Sequence, residues 1–178
     1  MSSLVRFSLL SLAASFGLAA CGGSSVTSTT PDGPAAAAQV VSVSPVGGAI
    51  NVSTAGPVVV GFSHAMHAGS EMYVTLHQGT ATGTLVAGHA MWSADSTQLT
   101  FTPTAPLAAH TMYALHIGGN MMDDAGKPAD LSKCPQFGGQ AATSQMMSGG
   151  MMGGSEMGSG WQTPGGNTYG MVFTFTTQ

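Results

Sequence analysis

The chain has 178 residues, with three Lys and Arg side chains against seven Asp and Glu and a formal net charge of -4 at pH 7. Beyond Arg6 its basic side chains are Lys127 and Lys133, which excludes a nucleic-acid groove built on neutralising phosphates. The excess lies in sulfur and imidazole: 13 Met and 6 His, all but Met1 beyond the first twenty residues.

Residues 1–20, "MSSLVRFSLLSLAASFGLAA", carry one positive charge at Arg6 and then an apolar run of secretory length, too short to span a bilayer. They predict an export signal. The segment ends in "LAAC", Leu18 to Cys21, which resembles the lipobox of bacterial lipoproteins. The resemblance implies that Cys21 is acylated and becomes the mature N-terminus. The chain would then partner with the membrane through lipid, more than one acyl chain being what stable anchoring takes. Gly22, in place of the aspartate tied to inner-membrane retention, implies the outer membrane. Residues 21–38, rich in Ser, Thr, Pro and Ala, offer too little apolar surface to order themselves and are predicted to be a flexible tether. With Cys21 acylated, Cys134 has no cysteine left for an intrachain disulfide.

Residues 39–178 predict a single domain. Period-two alternation bounded by Gly, Pro, Ser and Thr marks strands at 39–45, 57–63, 71–78, 83–92, 97–103, 111–118 and 170–177, with no sustained helical period. About seven short strands are what an immunoglobulin-like Greek-key β-sandwich uses. Between the last two strands lies an insert at about 131–169, in which Met146, Met147, Met151, Met152 and Met157 sit among glycines and serines. Glycine content disfavours a helix there, and a mobile loop is predicted.

The stretches "VSVSPVGGAINVSTAGPVVVGFSHAM", "STQLTFTPTAPLAAHTMYALHIGG", "DDAGKPA" and the final "FTFTT" resemble the bacterial Ig-like domain family typified by surface-layer repeats. The resemblance covers about 40–130 and 170–177, and implies a sandwich used mostly as a structural, spacing and adhesion module. It also implies core positions for Met66, Tyr113, Leu115 and Ile117, leaving His116 and Met112 facing outward. The family carries only a few residues where this chain has its insert.

In such a sandwich the B–C and F–G loops share one end. With strand B at 57–63, C at 71–78, F at 111–118 and G at 170–177, the "HAMHAG" loop and the Met-rich insert come together. His64, His67 and His116 are then candidate fixed ligands, with Met121, Met122 and Cys134 closing from the root of the insert and its five methionines peripheral. Thioether and thiolate donors with imidazole suit a soft ion of the Cu(I) or Ag(I) class, not Mg(II) or Ca(II). His77, His89 and His110 read as surface histidines. Met72 and Met112 read as strand residues, with Met91 on the outward face opposite Trp92. Asp123, Asp124 and Asp130 with Gly126 read as a turn rather than a calcium loop. "GFSHA" lacks the final glycine and α/β setting of a nucleophile elbow, so no catalytic residue is assigned. Two further functions fit the composition: an adhesion module contacting an envelope protein or polymer, and a methionine sink for oxidants.

Overall fold

The computed structural model describes residues 36–143, 161–163 and 168–178; the export segment, Cys21 and Met146, Met147, Met151, Met152 and Met157 lie outside the described residues. The strands are β1 (Val40–Ser44), β2 (Val58–Phe62), β3 (Val74–Gln78), β4 (Thr84–Leu85), β5 (Gly88–Trp92), β6 (Gln98–Pro103), β7 (Met112–Ile117), β8 (Gln140–Ala141) and β9 (Met171–Thr176). They form two antiparallel sheets, ordered β1-β2-β6-β5 and β4-β3-β7-β9-β8. This is the all-β immunoglobulin-like sandwich that the alternation predicts.

Alternation explains the central core. Val58 and Val60 of β2 and Leu99 and Phe101 of β6 are buried from one sheet, and Leu76, Leu115, Ile117, Phe173 and Phe175 from the other. Each side chain of this size removed from water contributes about 1.5–3 kcal/mol. Tyr113 stacks on Phe175, and its hydroxyl oxygen accepts the Ala108 N–H at 2.8 Å. This tyrosine corner ties the approach to β7 to the strand itself. Met66 is buried at the sandwich end, as the family pattern implies, and Met91 and Met112 are exposed.

Three segments depart from the sequence reading. The 71–78 run is a strand only from Val74. Its first part is a 3-10 turn, Ser70–Tyr73, entered through Gly69 at φ +98°, so Met72 sits on a turn and not on a strand. The 83–92 run changes sheets midway: the Val86 N–H donates to Leu76 O, while Ala87 O accepts from Thr104 N. Gly88 makes the crossing possible, because any side chain there would run into the Phe101 ring.

The insert gives the third departure. Among its described residues, Leu131–Phe137 form a 3-10 turn and β8 pairs with β9. Trp161, Ala142 and Tyr169 pack with Ala81, Ala114 and Val172 on the outer face of the β4-β3-β7-β9-β8 sheet. The mobile-loop expectation is therefore corrected for 131–143 and 161–163. Apolar residues were sparse in the insert but not absent, and Leu131, Cys134, Ala142 and Trp161 are all buried. The same cover corrects His116. Its parity is as expected, opposite Leu115 and Ile117, but the face it points to is not solvent.

Candidate metal site

The loop between β2 and β3 and the root of the insert are fastened together. Met66 and Asp123 form a β-bridge, Asp124 N–H donates to Ala65 O at 3.0 Å, and His67 N–H donates to Met122 O at 3.0 Å. The Ser70 hydroxyl donates to Met122 O at 3.2 Å and accepts from Met122 N at 3.3 Å. Below this seam the acidic residues close a turn: Asp123 Oδ1 accepts from Ala125 N at 3.0 Å and Lys127 N at 2.8 Å, with Gly126 at φ +76°. The carboxylate is occupied by its own backbone, which accounts for the Asp and Gly residues without calcium.

Along the seam the chain alternates. Met121 is buried in the core, while Met122 turns outward. Met122, His67 and Met72 line one cleft of about 260 Å³, floored by Gly69, Ser70 and Tyr73. Met72 is 65% exposed. One histidine and two methionines thus border a shared space. Glu71 stands beside it, its Oε2 accepting from Trp92 Nε1 at 2.8 Å and Gly69 N at 2.7 Å. Burial raises the Glu71 pKa, but these hydrogen bonds and the charge of His67 outweigh it and hold the carboxyl below its usual value. Among the described residues no three His, Cys, Asp or Glu side chains gather where they could hold a metal, so a site here has to use thioethers.

The other sequence-derived candidates go elsewhere. His64 is exposed, with Nδ1 2.8 Å from Ser63 Oγ. Cys134 is fully buried in the 3-10 turn, and burial, with the Asp130 charge adding to it, pushes its thiol up to about 12. It stays protonated and is corrected as a ligand. Met121 is corrected likewise, since its sulfur is built into the core. His116 is fully buried on the outer face, stacked on Trp161 at 5.1 Å and 19°, with Nε2 2.6 Å from Tyr169 O. Burial pushes its pKa down to about 4, the Tyr169 carbonyl opposing and the His77 charge assisting.

His77 is also corrected: it is buried, not a surface residue, with Nδ1 3.1 Å from Gly83 O and Nε2 3.0 Å from Thr75 Oγ1. His89 and His110 are exposed as expected. Alternation over 71–78 hides the turn that carries Met72; the signal for it is the Gly69-Ser70 pair ahead of the run. Trp161 is hidden because it stands alone in a Gly- and Ser-rich insert. A lone tryptophan in such surroundings was itself the signal.

Solved structures match the chain at low similarity. Domains 1–6 of the surface-layer protein SbsC match at 20% identity and a TM-score of 0.40, over 55% of this chain and 13% of that one. PcoC, a methionine-rich copper resistance protein from Escherichia coli, matches at 13% identity and 0.45, over 80% of this chain and 100% of that one. L,D-transpeptidase 1 from Mycobacterium tuberculosis matches at 26% identity and 0.36, over 44% and 35%. Scores of this size carry no functional inference. The chain spans about an eighth of the surface-layer protein and about a third of the transpeptidase. No curated protein matches the chain. The model of the bacterial Ig-like domain matches residues 34–137, more than half of the sequence, ending just short of β8 and the outer cover. With its two antiparallel sheets and tyrosine corner, the chain belongs to the bacterial Ig-like domain family.

Proposed function

We propose that this Ig-like protein holds a soft monovalent metal ion, of the Cu(I) or Ag(I) class, in the cleft of His67, Met72 and Met122. The donor set carries the proposal: one imidazole and two thioethers line a single open cleft whose walls are pinned by backbone hydrogen bonds. Thioether and imidazole donors favour such ions over Zn(II), Mg(II) and Ca(II), and the one neighbouring carboxylate, Glu71, is engaged through Oε2 by Trp92 and Gly69. The cleft sits at the root of the insert, so the insert methionines are candidates for further thioethers. Titration of the protein with Ag(I) under a competing chelator tests this. Joint substitution of His67→Ala and Met122→Leu should weaken the tightest equivalent by at least about tenfold, the scale of losing direct ligands. His89→Ala with His110→Ala should leave it unchanged. Equal behaviour of the two pairs removes the metal reading in favour of the structural and adhesive role common in the family.

We also infer that the protein is exported and held at the cell envelope by lipid on Cys21. No helix among the described residues is long and apolar enough to cross a membrane, and the LAAC sequence supplies an alternative means of attachment. Cys21→Ser should move the protein from the membrane fraction to the soluble fraction. Retention in membranes after that change rejects the anchor.

A further inference from the structure

The outer face of the β4-β3-β7-β9-β8 sheet holds a second pair of imidazoles, distinct from the cleft. The register of β3 and β7 puts Thr75 opposite His116 and His77 opposite Ala114. The two histidines are therefore diagonal neighbours on one face, about 7–8 Å apart at the backbone. Across the strand pair His77 faces only the small Ala114. Both are fully buried, and Trp161 lies over His116.

Their tautomers follow from their partners. A carbonyl oxygen only accepts, so the His116 nitrogen at Tyr169 O, Nε2, carries the proton. The lone pair is then on Nδ1, which is buried and has no hydrogen-bond partner. By the same logic His77 Nδ1 donates to Gly83 O, and its lone pair on Nε2 receives the Thr75 hydroxyl. In each ring the N–H is anchored on a carbonyl and the other nitrogen is left as a donor of electrons. That is how proteins orient imidazoles that bind metals. A buried acceptor without a donor is otherwise a standing cost to the fold.

We propose that His116 Nδ1 and His77 Nε2 form a buried two-imidazole site for one monovalent soft ion, Ag(I) or Cu(I), beneath Trp161. An apolar cluster of Ala81, Ala114, Ala142, Trp161 and Val172, flanked by Tyr73 and Tyr169, lies on this face, and its Trp161 stacks on His116. Two neutral ligands leave the full charge of the ion buried. The penalty for burying charge grows with its square, which sets a monovalent ion apart from Zn(II) or Cu(II). Imidazole is an accepted ligand of such ions, and the apolar cover excludes competing water. Entry of the ion requires the Thr75 hydroxyl to rotate off Nε2 and Trp161 to lift and reclose. Both lone pairs are already free of protons at neutral pH, so no proton leaves the site.

The test uses the full chain carrying His67→Ala, Met72→Leu and Met122→Leu, which removes the cleft donors, and Trp92→Phe, which leaves Trp161 as the single tryptophan. Added Ag(I) should quench Trp161 fluorescence to saturation. His77→Gln or His116→Gln should weaken that binding by about tenfold or more, and His89→Gln with His110→Gln should not. Because the buried variants test folding as well, a second measurement uses the native rings. In 15N-histidine-labelled wild-type protein, Ag(I) should move Nδ1 of His116 and Nε2 of His77 while their anchored nitrogens stay. Absence of quenching, or ring nitrogens that do not move, overturns the proposal. If substituting the cleft leaves the tightest equivalent intact while these nitrogens still move, the cleft reading fails and this site stands.

Discussion

Trp161→Ala should lower the stability of the protein by about 3–5 kcal/mol, the range for deleting a buried tryptophan from a packed core. The ring is stacked on His116, meets Tyr73 edge-on at 5.4 Å, and rests against Gly118, where any side chain would collide with it. Its main-chain carbonyl also accepts from Gly119 N at 2.9 Å. Removing it leaves a void over the buried His116 imidazole that water then enters. Urea unfolding followed by circular dichroism measures the loss, and Met112→Ala, at an exposed position of the same strand as His116, should change it by less than about 0.5 kcal/mol. A loss below about 1 kcal/mol for Trp161→Ala would mean that the insert lies on the sheet without being part of the fold.

The second large effect is on pH. His116 has its pKa lowered to about 4 by burial, with the Tyr169 carbonyl acting the other way and His77 acting the same way. The unfolded chain takes up that proton near pH 6.5, so between the two values it binds more protons than the folded one. Stability therefore falls as pH drops from about 6.5 to about 4, by roughly 3 kcal/mol in metal-free protein for a shift of this size. His77, lowered by burial, acts in the same direction. Glu71, Asp95 and Asp130 have lowered pKa values, so their contributions are lost only as pH falls further, through their folded values. Unfolding midpoints taken from pH 7 to 4 should slope steeply in the wild type and flatten in His116→Gln. A flat wild-type profile would place His116 in contact with water.

How far the sequence could be read depends on which physical signal each part carried. The two main sheets were legible because alternation is strict where one face is buried: Val58 and Val60, Leu99 and Phe101, Leu115 and Ile117 each repeat at intervals of two. His116 obeys the same parity, yet it does not face solvent. Parity gives the face but not what covers it, and the cover came from Trp161, 45 residues on. The meeting of His67 with Met122 followed from topology, since loops at one end of a sandwich are neighbours. Met72 did not, because a 3-10 turn leading into a strand has no period of its own. The burial of Cys134 was hidden by composition: one cysteine and one leucine in a polar stretch give no periodicity, yet they suffice to fasten a short turn.

The closing strand has a consequence for how the molecule is made. β9 supplies Phe173 and Phe175 to the core and pairs with β7 along its whole length. Beyond it Thr177 Oγ1 donates to Ala108 O, Gln178 N–H donates to Val52 O, and Gln178 O accepts from His110 N. As a growing chain emerges from its N-terminus, every earlier strand is present before the one that seals the sandwich. The entropy of closing the long β7–β9 connection adds to the delay. Until then β7 has an open edge and its core aromatic partners are missing, so the nascent chain remains pliable and prone to sticking. The sandwich is therefore sealed last, by the strand that arrives last.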